Sequence, residues 1–231
     1  MDVKVLSHKI KNLFFGIIVS CILFACYSED SSEIEVETEI EEEKIDTFYA
    51  DVTEIKDKDS LLTYCCNKKI NRLEPLSLLS ISFIDMNGNH NQGQLIVHAD
   101  LAYEVVEIFK EIYECKFPIE RMVTIDHFNC DDDSSMRQNN TSGFNYRLVS
   151  GTRKLSDHSY GRAIDINPLF NPFVKRDKVE PANAEAYIDR DNIQAGMIQR
   201  DDCVVRAFKN RGWQWGGDWK YAKDYQHFYK Y

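Results

Sequence analysis

The sequence has no apolar run long enough to span a bilayer, no internal repeat, no Cys-x-x-Cys pair and no concentration of basic charge. The apolar stretch Leu13–Ala25 falls short of the about 20 residues that a membrane-crossing helix needs. Without a Cys-x-x-Cys pair the usual sign of a structural zinc site is missing. Lysine and arginine number 28 against 38 acidic residues, and a formal charge of −10 offers no face for nucleic acid.

What is present begins with an address. Lys4, Lys9 and Lys11 precede the apolar stretch, which ends in Leu23-Phe24-Ala25-Cys26. That order is a basic region, a hydrophobic region and a small-residue cleavage site. The Leu-x-Ala-Cys ending resembles the lipobox of bacterial lipoproteins, which implies a mature chain beginning at a lipid-modified Cys26. From Glu29 to Asp46 ten acidic residues face Lys44 alone. Such a segment repels itself and stays extended. The leader contributes +2 and this segment −9 of the total −10, leaving −3 for residues 47–231. The expected plan is a lipoprotein signal peptide over 1–25, an acidic disordered tether over 26–46 and one globular domain over 47–231. The expected location is the bacterial cell envelope, lipid-anchored outside the cytoplasmic membrane.

Beyond Cys21 in the leader and Cys26, five cysteines remain: Cys65, Cys66, Cys115, Cys130 and Cys203. An odd number in an oxidising compartment leaves at least one thiol over. The neighbours Cys65 and Cys66 are not expected to bond each other.

Periodicity outlines the domain. Leu79, Ile81 and Phe83 alternate with serines, Asn87-Gly88 turns the chain, and Leu95-Ile96-Val97 follows, which predicts a hairpin. Leu101, Val105, Ile108 and Ile112 share one helical face, with Asp100 placed to cap it. Residues 122–125 read as a short strand, 129–142 as a loop and 174–196 as a long surface loop. Residues 198–210 read as a helix stopped by Gly212. The aromatics of Trp213-Gln214-Trp215-Gly216-Gly217-Asp218-Trp219 read as core, with a sugar-stacking platform as the alternative. The acids Asp131, Asp132 and Asp133 lack the alternating ligands of a calcium loop and read as solvated loop residues.

The chemistry concentrates in Ser156-Asp157-His158-Ser159-Tyr160-Gly161-Arg162-Ala163-Ile164-Asp165 and in Asp224-Tyr225-Gln226-His227-Phe228. Tyr160-Gly161 reverses the chain and Ala163-Ile164 starts a buried strand, so His158 and Asp165 can face one point. A first-row metal needs a further ligand, and His227 is the best candidate. Two histidines, one aspartate and a solvent position make an open tetrahedral Zn2+ site of catalytic type. Asp224 and His227 are three apart and would face opposite sides of one strand. A shared site therefore requires a curled turn, or Asp224 must lie ahead of the strand.

The pattern Ser-x-His-x-x-Gly-x-Ala-x-Asp followed by Asp-x-x-His-Phe resembles the zinc peptidases of the D-alanyl-D-alanine carboxypeptidase and L-alanyl-D-glutamate peptidase group, which share a fold with the Hedgehog signalling domain. The resemblance runs from about Ser80 to the end. It implies a single α+β domain with a central antiparallel sheet, flanked by helices, that holds the zinc. It implies hydrolysis of peptidoglycan stem peptides, with Asp224 as general base and an arginine before the first ligand binding substrate. Arg147, on an alternating stretch from Phe144 to Val149, is favoured over Arg153, which sits beside Gly151 in a turn. Ser156 and Asp157 are placed to orient the ligands. Carboxypeptidase action on a terminal D-alanine is the first expectation and L-alanyl-D-glutamate endopeptidase action the alternative. Two rivals stand further off: a non-catalytic zinc protein on the same fold, and an iron oxygenase using a facial triad.

Overall fold

The computed structural model describes residues 47–56 and 75–231. The predicted leader, the lipidation site Cys26, the tether over 26–46 and the pair Cys65 and Cys66 lie outside the described residues.

The period-two pattern produces longer strands than the minimal reading. β1 (Ala50–Ile55), β2 (Leu76–Ile84) and β3 (His90–His98) form an antiparallel sheet in the order β1-β2-β3. β2 and β3 pair over their full length, from Leu76↔His98 to Ile84↔His90. In the turn, Asp85 Oδ1 accepts from the backbone N–H groups of Asn87 and Asn89 at 2.8 and 2.9 Å. Leu79, Ile81, Leu95 and Val97 point into the core.

Helix α1 (Ala102–Glu114) lies across this sheet and buries Val105, Ile108, Phe109 and Ile112. Asp100 does not cap it. A 3-10 turn over Ala99–Leu101 intervenes, and the His98 ring accepts from the Asp100 N–H at 3.2 Å. Each large apolar side chain fully buried here contributes about 1.5–3 kcal/mol, so this layer carries much of the molecule's stability.

The next segment, β4 (Arg121–Met122), is shorter than the strand expected over 122–125, because a 3-10 turn takes over at Ile125–Phe128. The expected loop over 129–142 contains a helix, α2 (Asp132–Arg137), and β5 (Asn140–Thr141). The acidic triplet explains that helix. Asp131 Oδ1 caps it by accepting from the Ser134 N–H at 2.7 Å, and Asp133 pairs with Arg137 one turn on.

Later elements are short. β6 (Ala163–Asp165), β9 (Gln214–Trp215) and β11 (His227–Tyr229) make a sheet in the order β6-β11-β9. β7 (Phe173–Lys175), β8 (Lys178–Glu180) and β10 (Lys223–Asp224) make another in the order β10-β7-β8, so the expected surface loop over 174–196 includes a hairpin. Helix α3 (Cys203–Lys209) is shorter than predicted because Asp202 caps it, its Oδ1 accepting from the Val205 N–H at 3.0 Å. The architecture is mixed α+β, as expected. Among the described residues the sheet structure is divided into several small sheets, three of them antiparallel, rather than gathered into one central sheet.

Cys115 and Cys203 form a disulfide joining the end of α1 to the start of α3, and Cys130 is also disulfide-bonded. Trp213 and Trp215 are core residues, as predicted. Glu104 on α1 accepts from Trp213 Nε1 at 2.7 Å and from Lys230 Nζ at 2.8 Å, tying the C-terminal segment to the helix. Among the described residues no helix is long and apolar enough to cross a membrane.

Candidate metal centre and cleft

Strand pairing places the first two ligands. β6 and β11 run antiparallel with His227 directly opposite Asp165 and Phe228 opposite Ile164. Opposed residues in such a pair carry side chains on the same face, about 5 Å apart at Cβ. Alternation then sends Phe228 inward, where it stacks on Phe208 with centroids 4.1 Å apart, and turns His227 toward a cleft.

His158 arrives from a 3-10 turn over Asp157–Tyr160. Gly161 ends that turn in the left-handed region at φ +64, where a Cβ would also collide with the His98 backbone N at 2.5 Å. Ser142 exchanges two backbone hydrogen bonds with Asp165. The next residue supplies the carbonyl that orients the first ligand, since His158 Nδ1 donates to Gly143 O at 2.6 Å.

That bond fixes the tautomer. A carbonyl only accepts, so Nδ1 carries the proton and the Nε2 lone pair faces the site. His158 Nε2 lies 3.1 Å from Asp165 Oδ2 and 3.3 Å from His227 Nδ1, and His227 Nδ1 lies 2.9 Å from Asp165 Oδ1. Four-coordinate zinc with ligands at about 2.0–2.1 Å needs donor atoms about 3.3 Å apart. The three distances fit one face of that tetrahedron. A bare nitrogen lone pair against a carboxylate oxygen is unfavourable unless positive charge lies between them, which a proton on the imidazole supplies in the metal-free protein and a metal ion would supply in its place. His158, Asp165 and His227 are the group of the described residues able to hold a metal ion.

Electrostatics agree with the geometry. Burial alone would raise the Asp165 pKa, but the two imidazoles facing it hold the carboxyl far below its ordinary range. Burial alone would lower that of His227, but its hydrogen bond to Asp165 raises it.

The site opens into a cleft of about 630 Å³ lined by all three ligands and by Asp132, Arg147, Asp157, Lys154, Lys175, Trp219, Asp224 and Gln226. That volume suits a small peptide. A second hollow of about 230 Å³ touches none of the ligands, and its arginines are engaged, Arg190 with the carbonyls of Phe170 and Ile198 and Arg200 with Asp218.

Asp224 reaches the cleft from a different sheet. It ends β10, opposite Phe173 of β7, and the chain curls through Tyr225 and Gln226 before β11 begins. Of the two geometries the spacing allowed, the one with Asp224 ahead of the strand is therefore adopted. Trp215 Nε1 pins the curl by donating to Tyr225 O at 2.9 Å. Gly216 lets the segments meet, because a Cβ there would lie 2.6 Å from Asp224 Cβ. Asp224 is half-buried, and its Oδ1 is sealed from solvent with no hydrogen-bond partner. Burial pushes its carboxyl up to about 7, with the neighbouring Asp165 adding to the shift and His227 opposing it.

Arg147 lines the cleft while Arg153 is exposed outside it. The alternating stretch over 144–149 is irregular backbone, apart from a bridge between Leu148 and Leu155. The Arg147 guanidinium is aimed instead by an ion pair, Nε to Asp132 Oδ1 at 2.9 Å, and Asn145 Nδ2 donates to the same oxygen at 2.9 Å. Asp132 was missed by sequence reasoning because its partner is 15 positions away. Ser156 acts on the backbone of the turn, its Oγ accepting from the His158 N–H at 3.4 Å, and Asp157 lines the cleft. The group that orients the His158 ring is the Gly143 carbonyl, which no side-chain pattern reveals.

Two histidines and a carboxylate converging at the floor of a peptide-sized cleft, with a sealed carboxyl and a guanidinium on its walls, define a hydrolytic metal enzyme. Residues 150–230 match the model of the D-alanyl-D-alanine carboxypeptidase family. The matched segment carries all three residues that could hold a metal ion, and Asp224 as well. Arg147 and Asp132 lie just ahead of the matched segment. No solved structure matches the chain.

Proposed function

We propose that the protein is a zinc carboxypeptidase that removes the terminal D-alanine from peptidoglycan stem peptides. The observation that carries the reading is the convergence of His158 Nε2, Asp165 and His227 Nδ1 within 3.3 Å of one another at the floor of the cleft. Zinc bound by these residues supplies Lewis acidity that polarises a carbonyl and lowers the pKa of water to about 7.

The chain's own groups do the rest. Asp224 takes a proton from the attacking water as the new C–O bond forms, and returns it to the nitrogen of the leaving amine as the C–N bond breaks. A carboxyl raised to about 7 is matched to both transfers near neutrality. Arg147, held by Asp132, sets positive charge where the carbonyl oxygen becomes negative, and losing one such donor costs about 3 kcal/mol in other enzymes. Ser156 and the Gly143 carbonyl keep His158 in position.

The same reading assigns the fold to the D-alanyl-D-alanine peptidase type shared with Hedgehog domains, and the workplace to the cell envelope through a lipid on Cys26. The leader pattern and the acidic segment after it support that address. The zinc-loaded protein is expected to release D-alanine from a peptide ending in D-Ala-D-Ala. A protein that binds zinc and leaves muropeptides of every kind intact would overturn the reading.

A further inference from the structure

Lys154 and Lys175 line the cleft but take no part in the chemistry at its floor. Each sits on a short hairpin. The first grows out of the turn that presents His158: the Ser156 N–H donates to Arg147 O at 3.0 Å, Leu148 bridges Leu155, and the Val149 N–H donates to Lys154 O at 2.9 Å. The second is β7–β8, whose Phe173 pairs with Asp224 of β10. Alternation along β7 puts Lys175 on the same face as Phe173, and along β8 it puts Lys178 on the same face as Glu180. All four line the cleft.

Lys175 stands directly opposite Lys178 in the hairpin register. Like charges in directly opposed positions destabilise a strand pair. Lys178 is relieved by Glu180 Oε1 at 2.7 Å and by the Phe173 ring, whose centroid lies 5.9 Å away. Lys175 makes no ion pair among the described residues, and neither does Lys154. The cleft acid Asp132 is engaged by Arg147 at 2.9 Å, and Asp157 pairs with neither lysine. Residues 47–231 sum to −3, so two unmatched cations at one peptide-sized cleft run against the charge of the domain. An anion placed beside Lys175 would remove the repulsion that the hairpin builds in. An ammonium on a flexible stem accepts a carboxylate from many directions.

We propose that Lys154 and Lys175 form a specificity site for a carboxylate of the peptide substrate, so that acidic peptides are taken in preference to neutral ones. This rests on the cleft holding a peptide, as the proposed peptidase requires, and the test separates the two claims. A peptide offers that carboxylate from its free C-terminus or from an acidic side chain on the part retained after cleavage.

The experiment uses the zinc-loaded full chain and three peptides ending in D-Ala-D-Ala. One has an upstream glutamate and a free C-terminus, one has glutamine in place of that glutamate, and one has an amidated C-terminus. Cleavage is followed for each, and binding is measured by calorimetry on Asp224→Asn. The wild type is expected to favour the first peptide by about tenfold in kcat/KM over at least one of the others, through KM. Lys154→Met and Lys175→Met should each reduce that preference by about two- to fivefold, and the double variant should abolish it. Salt at about 0.5 M should erase it as well. Lys154→Glu combined with Lys175→Glu should turn the preference toward the less acidic peptide. Selection lost against the glutamine peptide assigns the site to a side-chain carboxylate, and selection lost against the amidated peptide assigns it to the terminus. A wild type that takes all three alike would overturn the proposal. So would a double variant that keeps the preference, or one that loses efficiency equally on all three. Selective binding without any cleavage would overturn the peptidase reading and leave the carboxylate site standing.

Discussion

The sheet β1-β2-β3 with α1, and the segment from Ser142 to Lys230, are built on different principles. In the first, strands of six to nine residues and a 13-residue helix bury one continuous apolar face. In the second, the strands bearing ligands are three residues long and the acid sits on a two-residue strand of another sheet. The short elements are held at their ends by long-range polar contacts, such as Lys230 to Glu104 and Trp215 to the Tyr225 carbonyl. The first region supplies stability and none of the ligands, while the second supplies the chemistry and leans on the first. Short strands joined by turns allow ligands from a 3-10 turn and from two strands to meet at one point, which a long regular strand does not.

Substitutions that separate the two regions test this division. The largest expected effect is on catalysis alone. Asp224→Asn should lower kcat by about 10²–10⁴-fold with zinc retained, and loss of zinc in that variant would make Asp224 a ligand instead of a base. Arg147→Met should lower kcat by about 10²–10³-fold, whereas Arg153→Met should leave turnover unchanged. An inverted pair of results would move the charge-stabilising role to the exposed turn.

In the other region, Phe109→Ala should destabilise the fold by about 3–5 kcal/mol while kcat per folded molecule and zinc content stay as in wild type. A large fall in kcat at full folding would mean the two regions are coupled. The smallest effect concerns the metal-free protein. Because the folded-state pKa of Asp224 is raised from 3.8 to about 7, the stability linked to it is full below about pH 4 and declines as the pH rises through 7. Asp165, whose pKa is lowered, contributes in the opposite sense: its stabilisation is present above about pH 4 and is lost only in stronger acid. Thermal unfolding of the metal-free protein between pH 5 and 8 should therefore show a smaller loss of stability in Asp224→Asn than in wild type.

The two regions were also legible in different ways. Periodicity exposed the β2–β3 hairpin and α1 because long elements repeat their pattern enough times to be read. The same tool does not decide residues 144–149, where alternation without a pairing partner yields irregular backbone, and it missed α2, whose six residues are too few for a period. Ligand chemistry exposed His158, Asp165 and His227 although their strands are too short to announce themselves. What stayed hidden was any role that depends on partners distant in sequence: Asp132 against Arg147, the Gly143 carbonyl against His158, and Gly216 against Asp224.

Zinc content per chain, measured on the purified protein and on His158→Ala and His227→Ala, bears most directly on the idea that two imidazoles and Asp165 hold one ion. About one zinc is expected in the wild type, with loss of both metal and D-alanine release in each variant. A variant that keeps its zinc, or a zinc-free protein that still releases D-alanine, would contradict it.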